Sequence, residues 1–93
     1  MPYTIPSYLT DTDLTVPNAY VALHHILYRA GVDTDRAAYR VYRNAAHLVS
    51  KPDKPCGVIT VMFDIVPGNG IGFIGQANTA LLLLPEMAGA VLV

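Results

Sequence analysis

Cysteine is nearly missing from this 93-residue chain: there is one, Cys56. That excludes an intrachain disulfide framework and leaves nothing that requires an oxidising compartment. Charge is also scarce, at 14% of residues with a net of −1. Bulk electrostatics therefore favour neither nucleic acid nor an anionic membrane. A long apolar run is lacking too. The most apolar tract, 71–93, has its longest strictly apolar stretch at 80–84, and Gln76, Asn78, Thr79 and Glu86 interrupt it. A membrane span needs about 20 mainly apolar residues, so no span is expected. The opening MPYTIPSYL has neither a basic nor a long apolar region, and no signal peptide is expected from it.

Against these shortages stands a surplus. Hydrophobic residues make up 53% of the chain and the mean hydropathy is +0.38, while a domain this small has a thin core. The excess must lie outside, and exposed apolar patches of that kind mark interfaces. Charge is unevenly placed: all six cations lie between Arg29 and Lys54 with three carboxylates, and the four other carboxylates lie outside that stretch. The middle is thus +3 and the remainder −4. A solvated polar face is the simple reading, and contact between a basic middle and a neighbouring copy's acidic flank is the sharper one.

The string PGNGIGFIGQ at 67–76 contains G-x-G-x-x-G as Gly70, Gly72 and Gly75. A dinucleotide site needs a βαβ unit and an acid about 20 residues beyond the glycines. Only 18 residues follow Gly75, and Glu86 is their one acid. No cofactor is expected, and the glycines are read as a flexible corner between a strand and the apolar C-terminal segment. His24 and His25, with His47 further on, lack metal-ligand spacing, and neighbours on a regular strand face opposite ways, so no metal site is expected. Cys56, Ser7 and Ser50 have no local base or nucleophile elbow, so an enzyme is not expected. Tyr39, Arg40, Tyr42 and Arg43 interleave rings and cations in the manner of a stacking platform, but overall neutrality argues against specific nucleic-acid binding.

The order of elements follows from punctuation and pattern. Residues 1–18 read as an extended N-terminal arm, broken by Pro2, Pro6 and Pro17, with turn chemistry in TDTD at 10–13. Residues 19–93 read as one small β-rich domain. The run 19–29 suits a helix capped by Asn18, and it also suits a strand. The short second run, 37–44, favours two strands around a hairpin loop at 31–36. One helical turn or a bulged crossover fits 45–50, a stiff loop 51–55, and the clearest strand 57–66. A short helix over 73–84, ended by Pro85, and an apolar tail or short strand complete the chain. The expected class is α+β and β-rich: a small antiparallel sheet with one short C-terminal helix. Candidate subunit-interface residues are Tyr3, Ile5, Tyr8 and Leu9 on the arm, with Phe73, Leu81, Leu84, Met87, Val91 and Leu92 in the C-terminal part.

Three segments, PNAYVALHHIL at 17–27, YRVYRNAAHLVSKPDKP at 39–55 and ALLLLPEMAGAVLV at 80–93, carry a resemblance. Together they resemble small structural proteins of tailed bacteriophages, with Tyr20, Tyr42, Lys51, Pro55, Leu84, Pro85, Glu86, Met87 and Gly89 in the matching places. The LLLL run and the glycine-rich loop depart from that pattern. The resemblance implies a non-enzymatic virion subunit, made in the host bacterial cytoplasm and used in many copies. Its partners would be identical subunits and other virion proteins, in the tail, neck or baseplate region. A head decoration protein is the alternative within that class. A holin-like membrane-active protein and a small cytoplasmic binding module are the alternatives outside it.

Overall fold

In the computed structural model, which describes residues 2–10, 12–29, 34–68 and 70–93, the β-branched and aromatic runs form five strands. The order along the chain is β1 (Tyr3–Leu9), β2 (Thr15–Leu27), β3 (Asp35–Tyr42), α1 (Ala45–Ser50), β4 (Gly57–Phe63), α2 (Phe73–Leu81), a 3-10 turn (Pro85–Met87) and β5 (Val91–Leu92). They make one antiparallel sheet in the order β4-β3-β2-β1-β5. The fold is α+β and β-rich. The ambiguous run 19–29 lies largely in β2 and its partner run in β3, while residues 30–33 of the expected hairpin loop lie outside the described residues.

The expected N-terminal arm is instead an integral strand. β1 pairs with β2 from Tyr3↔Val21 to Leu9↔Thr15, and its Tyr3 and Ile5 are buried. Pro6, which has no N–H, does not prevent this, because the ladder skips the step where it faces Asn18 at φ 49°, while Pro17 sits in the ladder opposite Ser7. Burial changes parity there, from Tyr3 and Ile5 to Tyr8 on β1 and from Ala19 and Val21 to Val16 on β2. After β1 the Thr10 and Asp13 N–H groups bond to the Leu14 and Thr10 carbonyls at 2.8 and 3.0 Å, and Asp11 of the expected turn lies outside the described residues. The Leu14 N–H also donates to Thr10 Oγ1 at 3.1 Å.

α2 packs across β4 and β2, burying Ala77, Asn78 and Leu81 on the core face of the sheet. Met87 from the 3-10 turn joins them, and Ile5, Val21, Tyr39, Val41 and Val61 supply the sheet side of the core. The helix ends at Leu81, short of the expected Leu84. Leu83 and Leu84 N–H groups bond back only three residues, to Ala80 and Leu81. Leu84 is already extended (ψ 142°), the conformation favoured for a residue before proline. The far end of β1 curls over the same face, so that a methyl group on Gly57 of β4 would collide with the Tyr8 phenol.

α1 and the proline loop cover the opposite face. Asn44 Oδ1 accepts the His47 N–H at 2.8 Å, which caps the helix. Tyr42 packs edge-on against His47 and donates its hydroxyl to the Pro52 carbonyl at 2.7 Å. Arg40 Nη1 donates to the same carbonyl at 2.9 Å.

Candidate functional site

The expected interface residues separate into two groups. Tyr3, Ile5, Leu81 and Met87, at 8, 1, 0 and 2% exposure, are core residues of the protomer itself and present no contact surface. Their apolar character was legible; their direction depends on strand parity and on where α2 lands. Tyr8 and Leu84 are half-buried against that core. Leu9, Phe73, Val91 and Leu92 are exposed. The apolar surface extends well beyond them. Val58 and Met62 on β4, Val66 and Ile71 beside the glycine loop, and Leu83 after α2 are all more than half exposed. Strict alternation in GVITVMF signals Val58 and Met62, since Ile59 and Val61 between them are buried.

The glycine string is a tied connection between β4 and α2. Gln76 Nε2 donates to the Val66 and Ile71 carbonyls at 3.1 and 2.8 Å, and Gln76 Oε1 accepts the Val66 N–H at 2.8 Å. One side chain thus clasps both ends of the loop, which is a correction to the flexible corner expected there. Gly70 takes φ 90°, a conformation that disfavours side chains, whereas Gly72 caps α2 at φ −64° with open space around it. The helix then leads to β5, antiparallel to β1, so the loop does not belong to a parallel βαβ unit.

His24 and His25 do not face opposite ways, which is a second correction. β2 pairs Leu23↔Tyr39 and then His25↔Ala38, so His24 is an inserted bulge residue. Core parity moves from Leu23 to Ile26 across it. Both imidazoles are exposed and their Nδ1 atoms are 2.7 Å apart, one ring donating to the other. His24 is held below its usual pKa by desolvation, then by the Arg40 guanidinium and by His25. Among the described residues no group of three or more His, Cys, Asp or Glu is placed to hold a metal ion.

The interleaved tyrosines are turned inward. Tyr39 is fully buried, and Tyr42 at 2% exposure lies under α1, so neither ring offers a face to a base. The Tyr39 hydroxyl donates to Asn78 Oδ1 at 2.7 Å, and burial, with Tyr3 adding, pushes its pKa up to about 12.

A cleft of about 570 Å³ lies between the β1–β2 turn and the start of β4, lined by threonines, Leu14, Val16, Arg43 and Cys56. A second crevice of about 330 Å³ runs between the free edge of β4 and Tyr8, Leu9, Leu84 and Glu86. No described helix is long and apolar enough to cross a membrane. Comparison with protein-family models, curated proteins and solved structures returns no match.

Proposed function

We propose that this chain is a non-enzymatic structural subunit of a tailed-bacteriophage virion, used in many copies in the tail, neck or baseplate region. The observation that carries the proposal is the apolar surface left outside a closed core. Val49 and Leu83 are more than four-fifths exposed, and Leu9, Leu14, Val91 and Val93 more than three-fifths. Contacts between subunits would bury such a surface, with symmetry fixing their geometry. The three resembling segments supply the virion setting, and the exposed side chains supply the reason to assemble. Partners on this reading are identical subunits and other virion proteins, and the subunit is made in the host cytoplasm before incorporation.

The test is direct. Particles purified from a phage that encodes the chain are resolved by gel and mass spectrometry. Several copies per particle are expected, in tail rather than head fractions. Presence in heads alone moves the assignment to capsid decoration, and absence from particles removes the virion reading.

A further inference from the structure

The sheet has two edges, and they are unequal. β5 is two residues long, whereas β4 offers seven, GVITVMF, and pairs with β3 on one side only among the described residues. Natural proteins blunt a long edge with proline, lysine, an inward charge or a bulge. None of these occurs in β4: it has no charged residue and no proline, and its ladder to β3 runs unbroken from Asp35↔Phe63 to Val41↔Gly57. A crevice flanks that edge at Val58, Ile59 and Thr60, with Tyr8, Leu9, Leu84 and Glu86 on its other side.

We propose that β4 pairs with β4 of a second copy, antiparallel about a two-fold axis at Thr60, joining two sheets into one. The inference deepens the assembly reading above and names its contact. Three observations select this occupant and this register. First, only another β4 matches the edge in length, since β5 is too short to pair with it fully. Second, residues opposed in a sheet share a face, and centring on Thr60 sets Val58 of each copy against Met62 of the other. Both side chains are 54% exposed in the single chain. Moving the axis to Ile59 would instead oppose Val58 to Thr60 and Met62 to Cys56, and moving it to Val61 would oppose Val58 to Asp64 and Met62 to Thr60. Third, the flanking charges are complementary. Exposed Asp64 comes opposite position 56 of the second copy, one diagonal step from its exposed Lys54. The basic middle of one chain thus meets an acidic position of the next.

The contact closes on itself, so it yields pairs rather than filaments. Larger assembly then uses other surfaces, such as Leu83 and the β5 end.

Light scattering on the purified full-length chain, with a concentration series, tests the register. Wild type is expected to be a dimer at about 100 µM. V58K/M62K places like charges in both cross-strand pairs and should weaken dimerisation about 100-fold or more. V58K/M62E restores an opposite-charge pair at each place and should return to within about tenfold of wild type. Far-UV circular dichroism and thermal melts confirm that each variant is folded, as expected for exposed positions. A folded wild-type monomer at that concentration overturns the proposal and leaves the edge to a strand of another protein. Unchanged dimerisation in V58K/M62K overturns it as well, and a monomeric V58K/M62E overturns the two-fold register. Particle mass spectrometry decides the virion reading separately, so the two can fail independently.

Discussion

Tyr39 stands in the middle of β3 with its ring fully buried and its hydroxyl 2.7 Å from Asn78 Oδ1, tying the sheet to α2. A hydroxyl in that setting is tolerated because it is paired. Tyr39→Phe strands the Asn78 oxygen and should cost about 1–3 kcal/mol in chemical denaturation, part of which Y39F/N78L recovers. The same burial gives a signed pH effect. The native phenol, with its pKa up at about 12, keeps a proton that the unfolded chain releases near 10. Stability is therefore whole below about pH 10 and falls as pH rises toward 12, a decline that Tyr39→Phe should lessen. His24 works at the acid end in the opposite sense. Its pKa lies below the usual 6.5, so its neutral form is favoured in the native state. Its contribution is whole above the unfolded value and is lost as pH falls below it, and melts of His24→Asn should show a smaller acid loss than wild type. Asp35, 4% exposed, belongs to the same scale. Its two oxygens accept the Arg29 and Ile65 N–H groups at 2.6 and 2.8 Å, holding the end of β2 to the chain leaving β4.

At the scale of elements, what was legible followed from pattern, and what was not followed from partners. The strand at β4 could be read from its β-branched content, although it ends at Phe63 rather than at Val66, and a helical turn is among the readings of 45–50, where α1 forms. β1 could not, because Pro2 and Pro6 weigh against a strand when the ladder position they occupy is unknown. Once Pro6 sits at a skipped pair opposite Asn18, the objection disappears. The bulge at His24 was equally hidden, since an inserted residue is defined only by the strand beside it. The assembly surface was half legible. Alternation marks Val58 and Met62 as sharing a face, but that β4 is an edge is a property of the whole sheet. The glycine loop gives the sharpest test at this scale. Gly70→Val forces a branched side chain into φ 90° and should lower stability by about 1–3 kcal/mol, whereas Gly72→Val, at an ordinary φ in open space, should cost less. Equal losses at the two positions would contradict the loop geometry. Gln76→Ala removes three hydrogen bonds that close the loop and should loosen it, seen as faster amide exchange at Val66.

For the molecule as a whole, composition says how much apolar surface exists but not which side chains carry it outward. Tyr3 and Ile5 illustrate the difference: on an arm laid over a neighbouring subunit they would be contact residues, and in a paired strand they complete the core. The two ends of the chain meet there, because β5 pairs with β1 at Tyr3↔Leu92 and Thr4↔Val91 and the Val93 N–H donates to the Pro2 carbonyl at 3.0 Å. Trimming each end should therefore have unlike effects. Removing residues 2–9 deletes a strand that fills the core and also leaves β5 without a partner. Losing the Ile5 side chain alone would cost about 2–5 kcal/mol, a large part of the stability of a domain this size. That truncation should lose its cooperative thermal transition. Removing residues 91–93 deletes a two-residue edge strand whose side chains are exposed, so the core stays covered and the melt should remain cooperative. If exposed Val91, Leu92 and Val93 serve assembly, the C-terminal truncation should also raise the concentration needed for association beyond the dimer. A chain lacking residues 2–9 that still melts cooperatively would return β1 to the status of an arm.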